Sequence, residues 1–147
     1  MKYKNSELET ILPHRAPMLL VDDIELVEIK DEHGNTIKQS IAHYTVKGDE
    51  FFLQGHFPGN PVVPGVILCE MMAQSCCVLC NDVADVHTFL TGLDNVKFKQ
   101  PVRPGDTIRF ETRLNRTNRM FRFCSGRGFV NEKLCVSAEF SFALVPK

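Results

Sequence analysis

The chain has 147 residues, of which 44% are hydrophobic and 24% are charged, and its formal net charge at pH 7 is −1. This composition is ordinary for a globular protein and excludes a disordered or collagen-like chain. The length suits one domain, 1–147, that buries about two thirds of the surface of the unfolded chain. No aromatic-interleaved stacking platform or recognition-helix motif occurs, so nucleic acid is not an expected partner.

The first residues are predicted to form a short helix over 6–12. Ser6 is a candidate N-cap, and Glu9 three residues later completes a capping-box pattern. The Pro-His-Arg-Ala-Pro segment at 13–17 then ends this helix. Because the N-terminal sequence lacks the apolar region of a secretory signal peptide, we expect a cytoplasmic protein.

Two strands and a long loop follow. Residues 18–30 and 36–46 alternate between apolar and polar side chains, and a turn at 31–35 joins them as an antiparallel hairpin. The loop over 48–64 contains three glycines and three prolines, which restrict its backbone.

The segment after this loop is predicted to be a long helix. Pro64 and Gly65 open it, because proline suits the first turn of a helix, and it is expected to reach about residue 81. Apolar side chains lie nearly all round it, which indicates burial on every side. The apolar stretch 62–80 is interrupted by polar residues, so we expect a core helix and no membrane association.

Four more strand-like runs complete the chain, at 88–99, 107–117, 120–130 and 134–145. One long buried helix and about six strands leave few architectures, because only the sheet can cover the helix. The prediction is therefore an α+β hot-dog fold, with an antiparallel sheet of about six strands wrapped around the helix at about residues 65–81. Such wrapping leaves one side open, so we expect at least a dimer.

Six cysteines raise the question of a disulfide or a metal site. Four lie in or near the predicted helix, whereas Cys124 and Cys135 lie in strand-like runs. Cys77 and Cys80 form a C-x-x-C pair, but no second pair has the spacing of a zinc site, so no metal is expected. We interpret the cysteines as small buried thiols, with a redox or adventitious metal role as the alternative.

The segment 55–74 contains a candidate acid/base pair. His56 lies in the restricted loop, and Glu70, fourteen residues later, interrupts the apolar helix. A charge inside an apolar helix is costly unless it is paired, neutralised or used, and histidine is the commonest general base. The alternatives are a loop histidine bonded to backbone and a carboxylate paired with an arginine. A catalytic pair is favoured because both residues flank one helix start.

The start and the first turns of this helix supply further groups. The backbone N–H groups of Gly65 and Val66 belong to the unpaired donors of the first turn, and they point at any anion or developing oxyanion placed there. Gln74 lies one turn after Glu70 on the same face, where it would orient Glu70 or a water molecule.

Basic residues are concentrated in one part of the chain. Residues 1–96 hold 6 lysines and arginines against 14 aspartates and glutamates, whereas residues 97–133 hold 10 against 3. This asymmetry is typical of a surface that binds an acidic partner. The alternative is a set of solvated strand faces balanced by the acidic half of a neighbouring subunit.

The chain resembles the beta-hydroxyacyl-[acyl-carrier-protein] dehydratases of type II fatty-acid synthesis, the FabZ-type branch of the hot-dog superfamily. The matching segments are LPHRAPMLLVD at 12–22, FLQGHFPGNPVVPGV at 52–66, EMMAQ at 70–74 and GLDNVKFKQPVRPGD at 92–106. The related dehydratase/isomerase branch usually carries Asp at the position of Glu70, which favours the plain dehydratase. The cysteine-rich tail of the helix departs from the small residues that are usual there.

The resemblance implies His56 and Glu70 as the catalytic pair and the Gly65 N–H as donor to the thioester oxygen. It also implies a (3R)-hydroxyacyl substrate on an acyl carrier protein, a trans-2-enoyl product and an active site built across a dimer, often within a trimer of dimers. Water elimination involves no net electron transfer, so no cofactor is expected. The candidate docking residues for the acidic carrier are Lys97, Lys99 and Arg103. Alternatives are a hot-dog thioesterase, a dehydratase that also isomerises its product, and a non-catalytic carrier-binding module.

Overall fold

The computed structural model describes residues 1–147 and contains one α-helix packed on a seven-stranded antiparallel sheet. The helix, α1, spans Gly65–Cys77. The strands are β1 Lys2–Lys4, β2 Asp23–Lys30, β3 Thr36–Thr45, β4 Val86–Phe98, β5 Thr107–Asn118, β6 Phe121–Val130 and β7 Lys133–Pro146. Three short 3-10 helices lie at Asn5–Thr10, Phe51–Leu53 and Val78–Cys80.

The strand order in the sheet is β1-β2-β3-β5-β6-β7-β4, and every pair is antiparallel. Helix α1 follows β3 in the chain and packs against β3, β5, β6, β7 and β4. The connection through α1 carries the chain to the far edge of the sheet, where β4 pairs with β7. This arrangement confirms the predicted hot-dog fold and adds β1, a strand that the sequence did not indicate.

The core lies between α1 and the inner face of the sheet. All residues from Met71 to Cys80 are buried, as are the inward-facing residues of β5, which include Ile108 and Phe110. Gly126 on β6 allows the helix to approach, because a Cβ at this position would lie 2.5 Å from Sδ of Met72. Each large side chain buried in this way contributes about 1.5–3 kcal/mol to folding.

Buried polar groups near the end of the helix have partners. Ser40 on β3 donates a hydrogen bond to the carbonyl oxygen of Ser75 at 2.8 Å, in the last turn, where helix carbonyls lack partners of their own. Arg122 on β6 is 2% exposed and forms two bonds to the Asp82 carboxylate, at 2.7 and 3.3 Å. These bonds fix the segment after the helix to the sheet.

Three predicted boundaries were wrong. The strand expected to begin at residue 18 begins at Asp23. The backbone of Met18 and Leu20, before the strand, bonds instead to the side chain of Gln74 on α1. The helix expected to continue to about 81 ends at Cys77 and tightens into a 3-10 turn. The first helix is a 3-10 helix over Asn5–Thr10, and the side chain that accepts a bond from its N-terminal backbone belongs to Glu7, not to Glu9.

All six cysteines are free and buried, which agrees with their interpretation as packing thiols. None of the helices combines the length and the apolar content that a membrane-spanning helix requires.

Strand β4 forms an open edge of the sheet. It pairs only with β7, and most of its residues are exposed. Its exposed side chains include four large apolar ones, Phe89, Leu90, Leu93 and Phe98. A long apolar edge strand of this kind is a template for pairing with another chain.

Candidate active site

His56 is held in one orientation by its own loop. Its backbone N–H donates to the carbonyl of Leu53 at 3.1 Å, and its carbonyl accepts from the N–H of Val62 at 2.9 Å. Its ring stacks on Phe57, with the ring centroids 4.3 Å apart. The ring nitrogen Nδ1 lies 3.0 Å from the carbonyl oxygen of Val62. Because a carbonyl oxygen can only accept, Nδ1 carries the hydrogen, and a neutral His56 presents Nε2 as a bare lone pair.

The start of α1 leaves two backbone donors open. Pro64 is the N-cap, and its carbonyl accepts from the N–H groups of Ile67 at 2.9 Å and Leu68 at 3.2 Å. The helix offers no acceptor to the N–H groups of Gly65 and Val66, which precede them. These two donors lie at the positive end of the helix dipole and can stabilise an oxyanion.

A cavity of about 530 Å³ opens at this helix start. Its lining includes Gly65, Val66, Phe98 and Lys99, and six of its ten residues are hydrophobic. The Phe98 ring covers Gly65 so closely that a Cβ at Gly65 would lie 2.8 Å from Cζ of Phe98. A side chain at Gly65 therefore fits only if the ring or the helix start moves. The cavity has the apolar character and size of a small-molecule site.

Glu70 and Gln74 form a bonded pair on α1. The Gln74 side chain is fully buried, and its Nε2 donates to Oε2 of Glu70 at 2.8 Å and to the carbonyl of Met18 at 2.7 Å. Its Oε1 accepts the backbone N–H of Leu20 at 2.9 Å. All hydrogen-bonding groups of the amide are thus used, and its orientation is fixed. These bonds also hold the backbone at residues 18–20, which the alternating pattern had predicted to be the start of a strand.

His14 is a site residue that the sequence analysis missed. Its Nε2 lies 3.6 Å from Oε2 of Glu70, and burial lowers the pKa of its imidazole despite the opposing effect of that carboxylate. A usable signal was present, because His14 is a titratable ring in a loop bounded by prolines, as His56 is. The contact itself joins residues far apart in the chain, which no local pattern indicates.

The structure does not join His56 to Glu70 within one protomer. No hydrogen bond or ion pair links the two side chains, and each has other partners: Val62 for His56, and Gln74 with His14 for Glu70. The Glu70 side chain is 31% exposed, so part of its carboxylate faces outward.

The three basic residues predicted to dock a partner lie in two places. Lys99 lines the cavity at the helix start, and Arg103 nearby donates a hydrogen bond to Oδ1 of Asn60. Lys97 instead lines a separate polar groove with Arg113 and Arg127. All three are exposed.

A curved antiparallel sheet packed on one central helix defines a hot-dog protein, with a histidine before that helix and a carboxylate inside it as candidate site residues. A family model described as ApeI-like, ApeI dehydratase, matches residues 31–138. The 3-hydroxyacyl-[acyl-carrier-protein] dehydratase FabZ of Alkaliphilus metalliredigens is 37% identical, over 99% of this chain and 96% of that protein. The FabZ protein of Thermomicrobium roseum is 39% identical, over 95% of this chain and 91% of that protein. The chain belongs to this dehydratase family, which confirms the resemblance seen in its motifs.

Solved structures agree on the fold. The dehydratase heterocomplex ApeI:P from Xenorhabdus doucetiae matches with a TM-score of 0.74 and 22% identity, over 95% of this chain and 91% of the other. The putative thioesterase yhdA from Lactococcus lactis matches with a TM-score of 0.65 and 13% identity, over 90% and 99% of the two chains. At these identities the likeness extends to the fold alone, so it does not favour a thioesterase.

Proposed function

We propose that this protein removes water from a (3R)-hydroxyacyl chain carried on acyl carrier protein and releases the trans-2-enoyl thioester. The FabZ relatives carry this substrate class in their names. The observation that carries the proposal is the orientation of His56, whose Nδ1–H bond to the Val62 carbonyl leaves Nε2 free as a base. Such a base suits removal of a proton next to a thioester carbonyl.

The elimination divides the work between two side chains. Nε2 of His56 takes the proton from C2 of the acyl chain, and the electron pair of that C–H bond moves toward the thioester carbonyl, whose oxygen gains enolate-like charge. This electron pair then forms the C2–C3 double bond as the C3–O bond breaks, and Glu70 gives its proton to the departing hydroxyl, which leaves as water. Each group of this kind supplies about 10²–10⁴-fold in rate.

The helix start stabilises the charge that develops on the thioester oxygen. The N–H of Gly65 is the donor in this proposal, with that of Val66 beside it. The loss of one such donor commonly costs about 10²–10³ in kcat. The apolar cavity beside these donors would hold the arm that carries the thioester.

Gln74 acts in this proposal as the positioning residue for Glu70. Its amide has every hydrogen-bonding group committed, so it holds Oε2 of Glu70 at a fixed place. The chemistry requires no metal and no redox cofactor, because elimination of water leaves the oxidation state of the acyl chain as a whole unchanged.

The working enzyme is proposed to be a dimer whose site combines His56 of one protomer with Glu70 of the partner subunit. Two observations support this assembly: the side chains do not meet within one protomer, and β4 is an unpaired edge with four exposed large apolar side chains. A second copy is the occupant that suits this edge, because pairing of β4 with itself would continue the sheet. Three such dimers would form the hexamer expected from the resemblance.

Docking of the acidic carrier protein is proposed to involve Lys99, which lines the cavity, and Arg103, which directly follows the lining residue Val102 in the chain. Lys97 is a weaker candidate, because it lines a different groove. Exchange of Lys99 for Glu should raise KM for the carrier-linked substrate more than for a short thioester without the carrier, since only the former presents an acidic surface.

The direct test incubates the purified protein with a beta-hydroxyacyl carrier-protein thioester and follows the acyl arm by mass spectrometry. Loss of one water from the arm supports the proposal. Appearance of free carrier thiol would identify a thioesterase, and bound but unchanged substrate would identify a carrier-binding module. Either of these results would overturn the proposed function.

A further inference from the structure

His14 occupies a position that packing alone does not explain. Its Nδ1 is buried and has no hydrogen-bond partner, and it is the only buried side-chain nitrogen or oxygen in the chain of which this is true. A buried polar atom without a partner destabilises the folded state, and an apolar side chain of similar size would avoid this cost. The imidazole is therefore retained at some expense of stability.

The backbone around His14 is tightly held. Arg15 donates through Nη1 to the carbonyls of His14 at 2.8 Å and Leu12 at 2.9 Å, and its Nε lies 2.9 Å from Oε1 of Glu9. These contacts fix the loop without any help from the imidazole. The ring is free to serve another purpose.

The other ring nitrogen faces the candidate acid. Nε2 lies 3.6 Å from Oε2 of Glu70, the same oxygen that accepts the 2.8 Å bond from Gln74. Burial keeps the imidazole pKa below its ordinary value, so His14 is neutral at pH 7 and carries one hydrogen. That hydrogen belongs on Nε2, because a bare Nε2 lone pair would repel the oxygen that it faces.

Oε2 of Glu70 thus faces two N–H groups: it accepts from Gln74, and it lies 3.6 Å from Nε2 of His14. When Glu70 is protonated, as the proposed acid must be, the oxygen that faces these donors is its carbonyl oxygen, because the other oxygen carries the proton. The proton to be transferred must then reside on Oε1, which has no partner within the chain.

We propose that His14 is a positioning residue that, together with Gln74, fixes Oε2 of Glu70 as the acceptor and so directs the acid proton of Oε1 toward the substrate hydroxyl. This inference rests on the proposed function, because it requires Glu70 to be the acid. Nε2 stands just beyond hydrogen-bond distance, and a shift of a few tenths of an ångström on substrate binding would complete the bond.

The test compares two substitutions of His14. His14→Leu removes both ring nitrogens and keeps the bulk, whereas His14→Gln retains an N–H donor that can reach the position of Nε2. His43→Gln is the matched control, because it removes another histidine that contacts a carboxylate, Asp23 at 2.8 Å, on the β2–β3 ladder outside the site.

The expected pattern separates positioning from a structural role. His14→Leu should lower kcat about 10- to 100-fold with KM within twofold of wild type, because a misdirected proton slows the chemical step. His14→Gln should recover most of this loss, and His43→Gln should leave kcat unchanged. The melting temperature of His14→Leu should equal or exceed that of wild type, since the unpartnered nitrogen is gone.

A double substitution tests whether His14 acts through Glu70. In the Glu70→Gln background, His14→Leu should cause less than a twofold further loss, because residues that act as one unit are not additive. Full wild-type kcat in His14→Leu, alongside an impaired Glu70→Gln, would overturn this inference and leave the proposed function intact. An equal loss in His14→Leu and His14→Gln with a lowered melting temperature would assign His14 a structural role only.

Discussion

The two halves of α1 have opposite environments although they belong to one helix. In the first half, the N–H groups of Gly65 and Val66 are open, Val66 is 75% exposed, and Glu70 is partly exposed. From Met71 onward every residue is buried, and the helix ends among thiols. One helix therefore supplies both candidate site groups and part of the core, and Gln74 in its buried half is hydrogen-bonded to the candidate acid.

The largest loss of activity is expected from removal of the proposed base, His56. His56→Ala should lower kcat by about 10²–10⁴-fold, because it removes the Nε2 lone pair that takes the proton. The fold should persist, since the His56 side chain is only half-buried. Turnover and circular dichroism on the same sample check both parts, and an unchanged rate would refute the base assignment.

Removal of the acid should have an effect of similar or slightly smaller size. Glu70→Gln keeps the shape and can still bond to Gln74, but it has no carboxyl proton to give. We expect a kcat about 10²–10³-fold below wild type with little change in KM. Steady-state kinetics provide the measurement, and turnover near that of wild type would exclude Glu70 as the proton donor.

A methyl group added at Gly65 should disturb the backbone donors at the start of α1. Gly65→Ala would place a Cβ 2.8 Å from Cζ of Phe98, so the ring or the helix start must move. We expect a loss of about 10- to 100-fold in kcat from the displaced donor. Because the Phe98 ring is half exposed and can swing aside, the free energy of unfolding should fall by less than about 2 kcal/mol. The variant that also carries Phe98→Leu should recover part of the activity, and a fully active Gly65→Ala would argue against a donor at this position.

A substitution in the buried half of α1 should lower the stability of the protein and leave kcat unchanged. Cys76 is fully buried, so Cys76→Ser places a hydroxyl where few partners exist. The free energy of unfolding should fall by about 1–3 kcal/mol, whereas kcat of the folded protein should stay within twofold. Urea titration and kinetics check this, with Cys76→Ala as the control that lacks the hydroxyl. A selective loss of kcat would extend the site into the helix tail.

The smallest expected effect concerns the reactivity of the buried thiols at the end of the helix. Burial raises the pKa of Cys77 to about 12. Hydrogen bonding to a neighbouring thiol, Cys124 for Cys80 and Cys76 for Cys124, raises the pKa of these two cysteines, and burial adds to the effect. At pH 8 these three cysteines are therefore thiols and not thiolates, and a thiol-reactive dye should label them only after unfolding in urea. Rapid labelling of the native protein would show that the tail opens readily.

Local patterns predicted most of the fold. The start of α1 at Gly65 and the bounds of β3, β5, β6 and β7 agree with the sequence within about two residues, because alternation and Pro–Gly signals act over a few residues. The boundary at residue 18 failed for a tertiary reason: Gln74 bonds to the backbone of Met18 and Leu20. Nothing near residue 18 indicates that contact.

The candidate site residues likewise divide into those that local sequence patterns indicate and those that only tertiary contacts reveal. His56, Gly65 and Glu70 could be proposed from the sequence because they share one segment whose residue types are unusual for a loop and a core helix. His14 was missed because its partner lies 56 residues away in the sequence. Lys97 and Lys99 looked alike in the sequence, yet they line different surfaces.

A site shared between protomers can be tested by combining the two inactive variants in one dimer. Copies with His56→Ala and copies with Glu70→Gln carry different tags, and the heterodimer is purified through both tags and assayed for loss of water from a carrier-linked beta-hydroxyacyl thioester. If each site takes His56 from one protomer and Glu70 from the partner subunit, one of the two sites retains both residues, and about half of wild-type activity should return. A heterodimer as inactive as each parent would contradict a site shared between protomers.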